Sequence, residues 1–220
     1  MGEPPKLLPA ATPIILEQMA MLKQSGLLDA LDLFVVGVNG GDESLSRVKL
    51  SIPSKAKVVM HGLDSRSENL TLVERENWVR SLPRDDDWAV LYFHSKGVTH
   101  IPNTDYFRFA GKWRSCMMTH CVMNWTQAVM DLMAGCEAVG CHWMTGQGHD
   151  HSQHYFAGNF GWAKASFLRT IPSIFSRQRI NDSGIASAAS RFEAEVIWGN
   201  GPRLPIVKDY CAKGLLACCA

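Results

Sequence analysis

Residues 88–97 read Trp-Ala-Val-Leu-Tyr-Phe-His-Ser-Lys-Gly. An unbroken apolar run, 88–93, lies between the acidic turn Asp85-Asp86-Asp87 and a polar stretch closed by Gly97. Such a run predicts a short strand buried on both faces, as in parallel sheets. The strand is therefore expected at the centre of its sheet, with His94 and Lys96 at its C-terminal end. Ligands of open α/β sheets bind at that end. Gly97 allows a sharp turn there, and a lysine supplies a point charge suited to phosphate. The Asp triple precedes the strand and reads as a solvated turn. It should lie roughly 20 Å from Lys96, at about 3.3 Å per residue.

Outward from this segment, helices and strands alternate. Residues 14–25 carry Ile15, Met19 and Leu22 at helical spacing and stop at Gly26. Runs at 33–38 (LFVVGV) and 57–60 (KVVM) read as strands. Thr71 and Glu74 form a capping-box pattern for a helix closed by Pro83. Thr104 heads a long helix with Phe107, Ala110, Trp113, Met117, Cys121, Trp125, Ala128 and Leu132 on one face, ended by Gly135. A strand is expected at 137–144, a polar His-rich loop at 145–154, a helix capped by Ser166, and another over 187–198. The alternation predicts an α/β fold with a mostly parallel sheet flanked by helices, in one domain over residues 1–220.

Composition narrows the function classes. The chain has 220 residues, with Lys plus Arg 22 against Asp plus Glu 21. This balance offers no field for nucleic acid or an acidic membrane surface. No apolar run approaches a membrane span, and residues 1–13 do not read as a signal peptide. The seven cysteines (116, 121, 136, 141, 211, 218 and 219) include no Cys-x-x-Cys pair, which argues against a zinc ribbon. Cys116 and Cys121 read as buried thiols in a helix. Free thiols imply a reducing compartment, hence a cytoplasmic location.

The segments LYFHSKGV (91–98), YFAGNFGWAKASFLRTIP (155–172) and RFEAEVIWG (191–199) resemble, in that order, a bacterial and viral family of glycosyltransferase-like proteins with the GT-A nucleotide-sugar fold. The resemblance spans about residues 15–200. It implies transfer of a hexosyl or deoxyhexosyl group from a nucleotide-diphosphate donor to a hydroxyl of a glycan or other acceptor. His94, Lys96, Gly97, Gly158, Asn159, Trp162 and Arg191 are the implied donor-binding residues. Glu195 is the implied catalytic base and Asp150 the reserve, whereas Glu193, on the other face of the expected helix, is not.

The chain departs from the family pattern in three ways. The place of a first strand holds only MGEPPKLLPAATP, so either the chain is truncated or nucleotide binding is impaired. One aromatic is absent from Phe160-Gly161-Trp162. His94-Ser95-Lys96 stands where many relatives carry an Asp-x-Asp metal motif, which leaves a Mn²⁺ or Mg²⁺ ion open. Two further readings stay open: a non-catalytic binding module, and a metal-dependent hydrolase using the loop His149–His154, in which His154 is a candidate ligand. In the transferase reading that loop is expected to close over a ligand.

Overall fold

The computed structural model describes residues 11–62, 68–98, 102–145, 154–174, 196–199 and 201–211. Helices α1 (Ala11–Gln24) and α2 (Leu27–Ala30) lead into β1 (Val35–Asn39), α3 (Asp42–Ser51), β2 (Lys57–Gly62) and α4 (Glu68–Ser81). Then come β3 (Ala89–Tyr92), α5 (Asp105–Met118), a π turn (Thr119–Met123) and α6 (Trp125–Met133). Strands β4 (Ala138–Gly140), β5 (Trp143–Thr145), β6 (His154–Phe156) and β7 (Gly161–Lys164) follow, then α7 (Ala165–Leu168), a 3₁₀ turn (Val196–Gly199) and β8 (Val207–Asp209).

The fold is mixed α/β and only partly parallel. β1 and β2 form a parallel pair, while a second sheet has the order β3-β7-β4-β8. In it β7 runs antiparallel to both β3 and β4, and β4 is parallel to β8. The expectation of a mostly parallel sheet is therefore corrected. Gly161-Trp-Ala-Lys164 inserts as a reversed strand between two parallel ones. The central place expected for β3 is corrected too: β3 ends its ladder, although Val90 and Tyr92 are buried. Helices pack on both faces, so the side chains of β3 are buried although it has one strand neighbour in the ladder.

Side-chain alternation explains the layering. Val90, Tyr92, Ala138 and Ala163 pack with Leu72 and Val79 of α4. The alternate residues Leu91, Val139 and Trp162 pack with Met117, Cys121 and Leu132. Trp162 is 3% exposed, and its indole N–H donates to the Cys121 carbonyl at 2.7 Å. That carbonyl lies in the π turn, where Asn124 N–H bonds to Thr119 O at 3.0 Å. Wider turns of this kind interrupt α-helices locally.

Other expectations shift locally. Thr104 does cap α5, its Oγ1 accepting from Phe107 N–H at 3.2 Å, but the π turn divides the long helix. α4 begins at Glu68, so Thr71 and Glu74 lie inside it rather than at a capping box. Ser166 lies within α7, whose N-cap is Lys164. On α1 the buried residues are Ala11, Ile14, Gln18 and Leu22, so of the expected face only Leu22 is fully buried. The strand expected over 137–144 is broken at Cys141-His142 into β4 and β5. Of the helix expected over 187–198, the described part is the 3₁₀ turn.

Candidate functional site

Topology brings the chemistry to one edge of the sheet. β3, β4 and β8 run in one direction, so their C-terminal ends carry His94, Cys141-His142 and Tyr210-Cys211 to the same side. β7 is reversed, so its leading residues Gly158 and Asn159 arrive at that side as well. Asp87 sits at the far end of β3, where its carboxylate accepts from Ser166 Oγ at 2.8 Å and faces Lys164 Nζ at 3.6 Å. Asp87 is thus held at the edge opposite His94.

Two motif segments meet at the β3–β7 end. His94 Nε2 donates to the Gly158 carbonyl at 2.9 Å, across 64 residues of sequence. A carbonyl can only accept, so this bond places a proton on Nε2. The His94 ring also stands edge-on to Phe160, with centroids 5.2 Å apart. The turn is clamped from behind. Gln18, polar on the buried face of α1, donates to the His94 carbonyl at 2.9 Å. Arg114 donates to the Lys96 carbonyl and to Glu17, each at 2.7 Å. Gly97 has φ 90°, and a Cβ there would lie 3.0 Å from that of Ala110. Lys96 Nζ lies 4.0 Å from the centroid of the Trp113 ring, a cation–π contact.

Asn159 is fully buried, at φ 55°. Its Nδ2 donates to Glu68 at 2.5 Å and its Oδ1 accepts from Trp198 Nε1 at 2.6 Å. Glu68 also accepts from Tyr92 Oη at 3.0 Å. Burial and the Glu68 carboxylate push the Tyr92 phenol well above its usual range. The Arg75 guanidinium lies 5.6 Å from the Tyr92 ring and 5.5 Å from the Trp198 ring. Its Nε and Nη1 are buried without a hydrogen-bond partner, and burial lowers its pKa.

Asn159 is therefore a strut between α4, β7 and the 3₁₀ turn, and Trp162, expected to face a sugar, is part of the core. His154 lies in β6, stacked on Trp143 with centroids 6.4 Å apart. Asp150, Arg191, Glu193, Glu195 and residues 149–153 lie outside the described residues. Glu68, Tyr92 and Arg75 escaped sequence reasoning because nothing in the spacing of a helix and a distant strand announces that they meet.

The β4–β8 end holds a second group. Cys116 of α5, His142 and Cys211 present ligand atoms all within 4.8 Å of one another and could hold a metal ion. Cys116 Sγ is 3.3 Å from Cys211 Sγ and 3.9 Å from His142 Nε2. The Cys141 thiol interacts with Cys116, Cys121 and Cys211. Hydrogen bonding from Cys141, more than from Cys211 and His142, holds the Cys116 thiol down to about 5 despite burial. In turn Cys141 is held strongly in its protonated form, first by Cys116. Asp209 organises the backbone: its carboxylate accepts from the N–H groups of His142 (2.8 Å), Trp143 (3.0 Å) and Cys211 (2.9 Å). Trp113 stands between the two groups, with its centroid 6.4 Å from that of His142.

A separate cleft of about 330 Å³ is lined by His120, Met123, Asn124, Thr126, Gln127 and Tyr210, and it includes none of the motif residues. Among the described residues no helix is long and apolar enough to cross a membrane. No family model, no curated protein and no solved structure matches the chain.

Proposed function

We propose that the chain is a glycosyltransferase, moving a sugar from a nucleotide-diphosphate donor to an acceptor hydroxyl at the edge where β3 ends and β7 begins. One observation carries the reading. The His94 imidazole bonds the Gly158 carbonyl at 2.9 Å, so two motif segments distant in sequence form one surface at a strand-end edge. Transfer needs the donor held in place and charge stabilised on the leaving diphosphate. Lys96, on a turn clamped by Gln18 and Arg114, is assigned to that charge. His94 and Gly97 shape the turn, and Asn159 holds Gly158 in position. Glu195 as base and Arg191 as its partner or a phosphate contact are assigned from the resemblance, with Asp150 in reserve.

A hard divalent ion does not fit the described residues at this edge. Mg²⁺ and Mn²⁺ favour oxygen ligands. Glu68 is engaged by Tyr92 and Asn159, and Asp209 by three backbone N–H groups.

A thermal-shift screen of nucleotide-sugars tests binding, since a ligand of the native state raises apparent stability. Transfer is then measured with the donor that binds. Glu195→Gln should lower transfer by about two orders of magnitude or more with donor binding nearly intact, and Glu193→Gln should be near neutral. Equal behaviour of the two variants refutes the base assignment. Donor binding without transfer by the wild type moves the chain to the non-catalytic reading.

A further inference from the structure

We infer that Cys116, His142 and Cys211 form a zinc site that staples α5 to the ends of β4 and β8. The inference stands on the second group alone and does not depend on the transfer reading. Isolated buried thiols are ordinary core residues. Here, though, the donor atoms converge from three elements remote in sequence. Zn²⁺ takes thiolate at about 2.3 Å and imidazole at about 2.0–2.1 Å, in a tetrahedron. That geometry sets ligand-to-ligand edges of about 3.8 Å between sulfurs and about 3.5 Å between sulfur and nitrogen. The observed sulfur–sulfur separation, 3.3 Å, is shorter than its edge and the sulfur–nitrogen separation, 3.9 Å, is longer. Shifts of about 0.5 Å at these two edges would match the tetrahedron.

The backbone supports the same reading. His142 is 2% exposed and holds a left-handed φ of 60°, a conformation that non-glycine residues adopt at a cost. Asp209 enforces it while also fixing the Cys211 N–H, so one carboxylate sets the backbone of two ligands. The His142 ring is poorly served by its protein neighbours. Its Nε2 faces Cys116 Sγ at 3.9 Å, too long for a strong hydrogen bond. A metal ion is a better partner for the Nε2 lone pair. Thiolate and imidazole together favour Zn²⁺ over Mg²⁺ or Mn²⁺. Binding involves no electron transfer: each ligating thiol releases its proton to water, and Nε2 binds through its lone pair. The burial of His142 and Cys211, with Cys116 half-buried, points to a structural ion.

The full chain, purified under a thiol reductant without chelator, is assayed for zinc, then stripped with a chelator that is removed by dialysis, and titrated with Zn²⁺ and with Co²⁺ as a spectroscopic probe. About one equivalent of tightly held zinc is expected. Co²⁺ should give a thiolate-to-metal charge-transfer band, and saturating Zn²⁺ should raise Tm by about 5 °C or more. Cys116→Ser and Cys211→Ser should lose the band, while Cys136→Ser, outside the group, should keep it. If the serine variants do not fold, alkylation of the wild type decides: Zn²⁺ should protect the half-exposed Cys116 and leave Cys136, equally half-exposed, reactive. A Cys116–Cys211 disulfide in the purified chain, absence of a Co²⁺–thiolate band, or alkylation of Cys116 at saturating Zn²⁺ overturns the site.

Discussion

The two groups at the sheet edge are built on opposite principles. His94, Gly158 and Asn159 come from continuous motifs, and their polar atoms are largely satisfied by one another and by Glu68 and Trp198. Cys116, His142 and Cys211 belong to no motif, yet their ligand atoms converge with weak mutual bonds. The first group is complete as a piece of structure, whereas the second is better completed by something it does not contain. The motif residues thus fix a backbone path that carries Lys96 to the proposed donor edge, whereas the converging atoms of the second group would themselves be the ligands.

The sharpest test of that contrast is truncation. Asn159→Ala removes one partner of the half-buried Glu68 carboxylate and strands the buried Trp198 indole N–H. It should cost about 3 kcal/mol in urea unfolding, whatever ligand is present. Cys211→Ala in metal-free protein should cost only about 1 kcal/mol, because the side chain lost is small and its thiol contacts are weak, with a larger loss when Zn²⁺ is added. Equal costs in metal-free protein would remove the distinction.

A second test concerns the clamped turn. Gly97→Ala forces a side chain onto φ 90° and against Ala110, for about 1–3 kcal/mol. A neutral result would show that the turn can relax and is not set by the Gln18 and Arg114 bonds. Lys96→Met sharpens the comparison from the functional side. Its cation–π contact with Trp113 should be worth only about 0.5–1 kcal/mol of stability, while affinity for a nucleotide-diphosphate sugar should fall about tenfold. Unchanged affinity removes Lys96 from the donor site.

The smallest effect is expected at the opposite edge. Glu137, just before β4, is bonded by Arg203 and by the Ile206 N–H, 3.0 Å away. Arg203 first, then that N–H, holds its carboxyl below the usual range. A carboxylate with a depressed folded pKa stabilises the fold above its unfolded value, about 4.3. That contribution is lost as pH falls through the lower folded value. Glu137→Gln should therefore unfold slightly earlier in urea than the wild type at pH 7, with the gap closing in acid below about pH 4. A gap that persists in acid would mean that lost packing, not charge, sets it.

Parts of this fold were legible because they depend on neighbours in sequence. The apolar runs of β1, β2 and β3, the Thr104 cap and the stop after α6 follow from local burial and local hydrogen bonding. The Thr71–Glu74 pattern misled because α4 starts earlier, where Glu68 in its first turn meets Tyr92 and Asn159 from two strands. Gly161–Lys164 carried no strand signal. It begins with glycine and is only four residues long, so its conformation is set by the ladders on either side.

By itself the sequence determined an α/β chain, the polar turn after β3 and the strained glycine at its close, because these are consequences of hydrophobic period and backbone sterics. Only the tertiary structure decided that β7 runs backwards, that Asn159 is a strut and Trp162 a core residue, and that Cys116, His142 and Cys211 share one point in space. The reason is physical. Strand direction and ligand convergence are fixed by pairings between residues tens of positions apart, and no local preference encodes which pairing buries the most surface.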